Sequence, residues 1–391
     1  MITAVFLTHT AAPSGAELAT LRLLTALERG GSVRASMLLT EDGPLVALLR
    51  AREIPVTVWR NDFDSRSLTI SGSGPLGLLR GAADLVRLGR GLGAAVAEAG
   101  ADVVVAQSTK ALLMGAIAAR RAGVPLVWQV HDRISGEYFG GPLAFGLRVL
   151  GWSAARGVVA NSRATLRTLL TRRRPHTVAY PGLEPGPAIE REAQRAPDEV
   201  RIVMVGRLTS WKGQDVLLRA VALLRHRPMT VRLVGGTFFD EQDYRAELER
   251  LAAELAVPVE FTGHLGDPGP EFARADIAVH CSVTAEPFGQ VVVEAMRAGC
   301  AVVAADAGGP TEIVRTEHDG LLVAPGDVAA LAAALDRLIA DPELRTRLGE
   351  SARARAADFG IEATAASVTA LLDTVVRGRA PVSDPDSAAS R

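Results

Sequence analysis

Short runs of apolar residues alternate with helix-length amphipathic segments along most of the chain. Residues 4–7, 35–39, 56–59, 102–106, 126–130 and 157–160 read as strands. Segments 17–29, 45–52, 76–99, 111–122 and 162–171 carry the apolar spacing of helices. Strands that are apolar from end to end, with helices between them, predict a parallel α/β sheet covered on both faces. Residues 61–74 are polar and rich in Ser and Gly, and are expected to form a loop.

The pattern breaks between residues 180 and 197, which hold Pro181, Pro185, Pro187 and Pro197 and little apolar periodicity. A linker over 181–197 is expected there. The alternation then restarts, with strands at 201–205, 231–234, 259–262, 277–280, 301–304 and 320–323. Helices are expected near 215–224, 244–256, 288–298, 327–340, 342–358 and 361–376. A Pro-, Ser- and Asp-rich tail over 378–391 has the composition of a disordered segment. The expectation is therefore two doubly wound Rossmann-like α/β domains in tandem, 1–180 and 198–358. Ligands of such sheets bind beyond the carboxyl ends of the strands, so the cleft between the domains is the expected site.

Composition narrows the function. A net charge of −1 argues against a nucleic-acid binder. The most apolar stretch, 103–119, is broken by Gln107 and Lys110, so no membrane span is expected. Cys281 and Cys300 sit in apolar, strand-like runs and read as buried thiols rather than a disulfide or a metal site. The N-terminus reads as a first strand and not as a signal peptide, and a cytoplasmic protein is expected. Of 43 basic residues only Lys110 and Lys212 are lysines. In so arginine-biased a chain, a retained lysine marks a place where a compact ammonium is wanted, or a chance survival.

Candidate chemistry gathers in the second half. The stretch 285–296 ends a strand, turns through Pro287 and Gly289, and enters a helix, with Glu286 before the helix and Glu294 inside it. A helix start favours an anion such as a phosphate, and carboxylates on either side of it suit hydroxyl groups. The pattern also fits an ordinary helix with two acidic residues. Gly206 and Arg207 follow the strand at 201–205, and Lys212 lies just beyond. Two cations at a strand end match a diphosphate, and equally describe two solvated surface charges.

Gly206-Arg207-Leu208 with Lys212-Gly213, Glu286-Pro287-Phe288-Gly289 with Glu294, Gly308-Gly309-Pro310-Thr311-Glu312-Ile313 and Asp319-Gly320-Leu321-Leu322 occur in this order. Together they resemble the retaining glycosyltransferases of family 4, also called group 1, which have the GT-B fold. The resemblance extends over nearly the whole chain. Ser14-Gly15-Ala16-Glu17 matches a Gly-Gly-Ala-Glu loop of the family, with Ser14 in place of the first Gly. His131 and Asn161-Ser162 match strand ends of the first domain. The resemblance implies a GT-B pair of domains facing each other across a cleft, with a final helix over 359–377 packing back toward the first.

It also implies roles. Arg207 and Lys212 would bind the phosphates of a nucleoside-diphosphate sugar, and Glu294 the ribose hydroxyls. Glu286 would bind donor-sugar hydroxyls, with the backbone of Phe288, Gly289, Gln290 and Val291 around sugar and phosphate. Gly15 and Gly206 would approach the diphosphate, Gly263 and His264 would lie near the base, and His131 near the transferred sugar. Ser14, Lys110 and Asn161 are candidates for the acceptor side. The family reaction uses no metal and no cofactor beyond the donor, and the acceptor is a hydroxyl of a lipid-linked saccharide, a polysaccharide precursor or a small metabolite.

Two further readings bear on function. Between Tyr138 and Leu183 there is no Asp or Glu, but Arg148, Arg156, Arg163, Arg167, Arg172, Arg173 and Arg174 are present among apolar residues. Such a surface suits peripheral contact with the inner face of an anionic membrane, or ion pairs elsewhere in the fold. A dinucleotide-dependent oxidoreductase would share the tandem α/β pattern, but neither domain's first strand is followed by Gly-x-Gly-x-x-Gly. A non-catalytic sugar-nucleotide binder of the same fold is the other alternative.

Overall fold

A computed structural model describes residues 1–59, 75–186, 200–226, 230–237 and 242–378. The expected loop 61–74, residues 187–197 of the expected linker and residues 379–391 of the tail lie outside the described residues. The chain divides into two units, one of residues 1–184 with 361–391 and one of residues 185–360.

The first unit is built on seven strands: β1 (Ile2–Thr8), β2 (Val33–Leu39), β3 (Val56–Val58), β4 (Val103–Ala106), β5 (Leu126–Val130), β6 (Gly157–Ala160) and β7 (His176–Val178). All pair in parallel, in the order β3-β2-β1-β4-β5-β6-β7. Phe6 of β1 lies opposite Met37 of β2 and Val105 of β4. Every residue of β4, β5 and β6 is buried, which is why these strands are apolar without alternation. Successive side chains still point to opposite faces. Phe6, Met37 and Val105 join one core with Leu24 of the helix Gly15–Gly30, whereas Leu7, Val104 and Trp128 join a second core with Leu92 and Leu112.

Val368, Leu371 and Leu372 of the last helix, Ile361–Arg377, pack into the first of these cores. Residues 181–184 belong to this unit too: Glu184 pairs with Arg52, and the Ile361 amide donates to the Leu183 carbonyl at 3.0 Å. The first unit therefore reaches four residues further than the sequence pattern suggested.

Other differences have local causes. The helix expected over 162–171 is a single turn, Arg163–Leu166. Ser162 Oγ caps it by accepting from the Thr165 amide. Thr168 Oγ1 then donates to the Thr165 carbonyl at 2.7 Å and accepts from the Ile134 amide at 3.0 Å, which ties the chain down where the helix would have continued. Strand β7 follows and was not anticipated. Nor was the helix Gly141–Ala154, whose apolar residues occur all round its axis and so give no helical period.

The second unit has six parallel strands: β8 (Arg201–Val205), β9 (Thr230–Val234), β10 (Val259–Gly263), β11 (Ile277–His280), β12 (Ala301–Ala305) and β13 (Leu321–Val323). Their order is β10-β9-β8-β11-β12-β13. Ile202, Leu217, Val231, Ile277, Val303 and Leu335 form its principal core. Buried Asp319 accepts hydrogen bonds from the Arg315 amide and Nε, both at 2.6 Å, so its place in the motif is structural. Cys281 and Cys300 are buried free thiols.

In both sheets the strand order reverses at one point, between β1 and β4 in the first unit and between β8 and β11 in the second. Loops from neighbouring strands diverge at such a point and leave a crevice at the carboxyl ends. Because Leu372 is fully buried in the first unit's core, Leu372→Ala should destabilise that unit by about 2–5 kcal/mol, read from urea unfolding. A loss below about 1 kcal/mol would mean that the last helix is not docked as described.

Candidate active site

The reversal point of the second unit carries a dense polar cluster. After β8 the chain passes Gly206 and Arg207, whose carbonyl accepts from Nε2 of buried Gln214 at 2.8 Å. It then makes a short 3₁₀ turn, Ser210–Lys212. Gly213 ends that turn with φ 78°, and a β-carbon there would lie 2.2 Å from the Cys281 carbonyl oxygen. Only glycine provides both the left-handed backbone and the close approach. The turn is thereby pressed against the end of β11, and the Val283 amide donates to the Trp211 carbonyl at 2.9 Å.

Lys212 Nζ pairs with Glu286 Oε1, and it also lies 4.4 Å from the centre of the Trp211 ring. The other carboxylate oxygen of Glu286 meets Nε2 of His280, the last residue of β11, and Ser282 Oγ donates to it at 3.2 Å. The Ala305 amide points at His280 Nδ1 from 3.5 Å, so the ring presents its Nε2–H to the carboxylate. Both oxygens of a buried glutamate are thus engaged. Burial alone would raise the Glu286 carboxyl, but Lys212 and His280 outweigh it and hold the group well below the usual carboxylate range. Its contribution to stability is complete above the ordinary value of 4.5 and is lost as pH falls through the lowered one.

The backbone of Glu286 is held from the other side. It bridges to Gly308, and its carbonyl accepts from the Gly309 amide at 2.8 Å. A β-carbon on Gly308, where φ is 71°, would lie 2.2 Å from that carbonyl. This close approach accounts for the Gly-Gly-Pro motif. Phe288 is buried, its ring 6.0 Å from that of Phe359, so its side chain anchors the loop. Gly289 begins the helix Gln290–Ala298 with φ 98° and no side-chain cap. The first N–H groups of any helix lack partners within it, and the capping residue here, a glycine, has no side chain to cover them. Gln290 Nε2 donates to Glu294 Oε1 at 3.0 Å, and Gln290, Val291 and Glu294 are all half-buried.

At the neighbouring strand ends, Gly235 donates to the Gly263 carbonyl at 2.9 Å, and the Gly206 amide donates to the Val234 carbonyl at 2.9 Å. His264 follows Gly263 at the end of β10. Lys212, Glu286 and the start of the helix Gln290–Ala298 are therefore brought together, with Arg207 and Gly206 on the adjoining loop.

The first unit has its own polar end. His131, one residue past β5, contacts Gln107 Oε1 through Nε2 at 3.2 Å. Thr20 Oγ1 also donates to that oxygen, at 2.8 Å, and Gln107 Nε2 donates to Gln129. The amide is oriented by this network, so His131 donates Nε2–H to it. Burial pushes the His131 imidazole down to about 4. Asn161 Nδ2 donates to the His131 carbonyl at 2.9 Å, and Asn161 Oδ1 is buried with no partner among the described residues. Ser14 Oγ donates to Glu17, leaving the helix Gly15–Gly30 without a side-chain cap at its start. Internal packing does not demand glycine at 15, since a β-carbon there meets nothing within 4 Å. Lys110 lies in the first turn of the helix Thr109–Ala122. Beside it His9 Nδ1 contacts Ser108 Oγ at 2.9 Å, and burial with the Lys110 charge lowers the His9 ring to about 4.

His280, Ser282, His9 and Gln107 were not singled out from the sequence. The one signal His280 carried was its place, closing an apolar strand six residues before Glu286, which marks a site only together with that glutamate.

Two parallel, doubly wound sheets, one ending in this charge cluster and helix start, are the architecture that the resemblance to GT-B glycosyltransferases implies. Residues 13–186 match the family described as Glycosyltransferase Family 4, and residues 187–355 match Glycosyl transferases group 1. A D-inositol 3-phosphate glycosyltransferase 1 of Catenulispora acidiphila is 32% identical over 312 residues, covering 71% of this chain and 73% of that protein. A D-inositol 3-phosphate glycosyltransferase of Salinispora arenicola is 31% identical, over 69% and 68% of the two chains. The solved structure of Anabaena Alr3699/HepE in complex with UDP and glucose is similar with a TM-score of 0.78 at 29% identity, over 96% of this chain and 100% of that one. The chain belongs to glycosyltransferase family 4.

The lowered His131 gives a direct test. Its unfolded form binds a proton near 6.5 and its folded form only near 4, so stability is complete above 6.5 and declines as pH falls from there to about 4. The imidazole NMR signals of His131 should titrate with a midpoint near 4. A midpoint near 6.5 would show that the ring is solvated.

Proposed function

We propose that this glycosyltransferase moves a hexose-type sugar from a UDP- or GDP-sugar to an acceptor hydroxyl with retention of anomeric configuration. The observation that carries the reading is the Lys212–Glu286–His280 cluster beside an uncapped helix start, at the reversal point between β8 and β11. As the bond from the anomeric carbon to the diphosphate breaks, negative charge builds on the leaving oxygen. Arg207, Lys212 and the amides of Gly289, Gln290 and Val291 meet that charge, with Gly206 allowing close approach. Donors fixed before the reaction need no reorganisation as the charge develops, which makes them effective. This reading uses no metal ion or further cofactor.

Glu286 is ionised at neutral pH and accepts hydrogen bonds only, which suits the hydroxyls of the transferred sugar. Glu294 takes the ribose hydroxyls, Phe288 holds the loop through its backbone and ring, and Gly263 and His264 flank the base. In the first unit, His131 is assigned to the transferred sugar, Gly15 to the diphosphate, and Ser14, Lys110 and Asn161 to the acceptor side. The acceptor oxygen attacks the anomeric carbon on the face the diphosphate is leaving. Its proton passes to the departing phosphate oxygen, so the new bond replaces the old on the same face.

The complexes of Alr3699/HepE with UDP and with UDP-glucose support a uridine donor. The D-inositol 3-phosphate glycosyltransferases among the relatives support a small polyol phosphate as acceptor, ahead of a polysaccharide or glycolipid. A thermal-shift panel of UDP, GDP and their sugars, followed by product NMR with the best donor, tests the reading. The product anomer should match the donor's, and Lys212→Ala and Glu286→Ala should each lower kcat by roughly 10²–10³-fold. An inverted product would refute retention. Absence of turnover in the wild type would leave a sugar-nucleotide binder.

A further inference from the structure

Half of the large apolar side chains that are exposed among the described residues lie between positions 143 and 170. The helix Gly141–Ala154 supplies most of them. It buries Ala144, Leu147 and Gly151 against the first unit's second core, a stripe at the spacing expected of one helix face. Its opposite face carries no charge: Phe145, Val149 and Trp152 are 63%, 40% and 42% exposed, with Leu143 at 42% on the flank. A solvated helix ordinarily puts charged or polar residues there.

The chemistry around that face is one-sided. From Tyr138 to Leu183 every charged side chain is an arginine, and the acidic residue just before, Glu137, pairs with Arg133. At the helix's end a hollow of about 500 Å³ is lined by Arg120, Arg156 and Arg174 together with Ser153, over an apolar floor that includes Pro125 and Leu126. Trp152 is fixed beside it. Its Nε1 donates to the Arg172 carbonyl, Arg174 Nε donates to the Trp152 carbonyl, both at 3.1 Å, and the Arg174 guanidinium lies 5.4 Å from the ring centre.

We propose that this face docks on an anionic phospholipid bilayer, with Phe145, Val149 and Trp152 entering the headgroup boundary and a lipid phosphate seated among Arg120, Arg156 and Arg174. Apolar side chains on a rigid helix, an indole at the boundary and a basic rim are what such a surface selects. A second copy of the chain fits poorly, because it would bring one arginine rim against another. The hollow lies at the amino ends of β5, β6 and β7, whereas Gln107, His131 and Asn161 lie at the carboxyl ends of β4, β5 and β6. Docking therefore leaves the candidate active-site end of this sheet uncovered.

The test is co-sedimentation of the full chain with vesicles of phosphatidylcholine alone and of phosphatidylcholine with about one-third phosphatidylglycerol. Binding should require the anionic lipid and fall steeply between about 0.05 and 0.5 M salt. The double variant Phe145→Ser/Val149→Ser and, separately, Arg156→Glu should each weaken binding about tenfold or more, with unchanged circular dichroism and donor turnover in the absence of vesicles. The proposal is overturned if the wild type ignores anionic vesicles at low salt, binds phosphatidylcholine equally, or is unaffected by folded variants. It is also overturned if light scattering shows a dimer that the serine variant dissociates.

Discussion

A carboxylate buried between an ammonium and an imidazole governs the second unit's site. Glu286 is reached by Lys212 from the loop after β8 and by His280 from the end of β11. An isolated charge at such depth costs several kcal/mol, so each group depends on the others being in place. Removing one partner leaves the rest desolvated and uncompensated. The geometry of three chain segments follows from this single requirement. Gly213 must press against the Cys281 carbonyl to deliver Lys212, and Gly308 must lie on the Glu286 carbonyl to hold the carboxylate in register. The pair is weak evidence for net stability, since burying two charges costs about what their attraction returns. Its value is positional, because it fixes an ammonium and a carboxylate at a helix start.

Lysine rather than arginine at this point is a matter of shape. The chain uses arginine almost everywhere else, yet position 212 keeps the compact ammonium. It sits between the Glu286 carboxylate and the face of Trp211, 4.4 Å from the ring centre. A guanidinium is a planar fork that pairs side-on with a carboxylate and stacks flat on a ring, so it would have to serve both partners with one plane. An ammonium is also a point charge that can turn from one anion to another without reorienting a plane. That suits a group which the proposed reaction asks to meet a diphosphate.

Much of this was legible in the sequence, and the reasons are physical. Fully buried parallel strands such as β4 and β6 advertise themselves as unbroken apolar runs, and the glycines of the site mark backbone contacts that a side chain would block. Arg207, Lys212, Glu286 and Glu294 stood out through the order of the motifs that hold them, the pattern that carries the family resemblance. His280 did not, since a histidine at a strand end has too many structural uses to mark a site by itself. Gln107 is an uncharged amide whose importance comes from partners distant in sequence, Thr20 and His131. The helix Gly141–Ala154 was missed for the opposite reason. Sequence periodicity reports a contrast between two faces, and this helix is apolar on both.

That missing contrast is itself informative about how the first unit is divided. The carboxyl ends of its strands collect groups that bind and orient: His9 and Ser108 across the reversal point, then His131 and Asn161 on successive strands. Burial keeps both imidazoles neutral near physiological pH, so these two rings present hydrogen-bonding groups rather than positive charge. The amino ends of β5 to β7 collect the reverse, arginines beside uncovered apolar side chains, with Arg174 held by the Trp152 carbonyl. A parallel sheet makes this separation possible, because every crossover returns the chain to the same end before the next strand begins. Residues just after the strands and residues just before them therefore occupy opposite ends of the sheet and can evolve toward different partners.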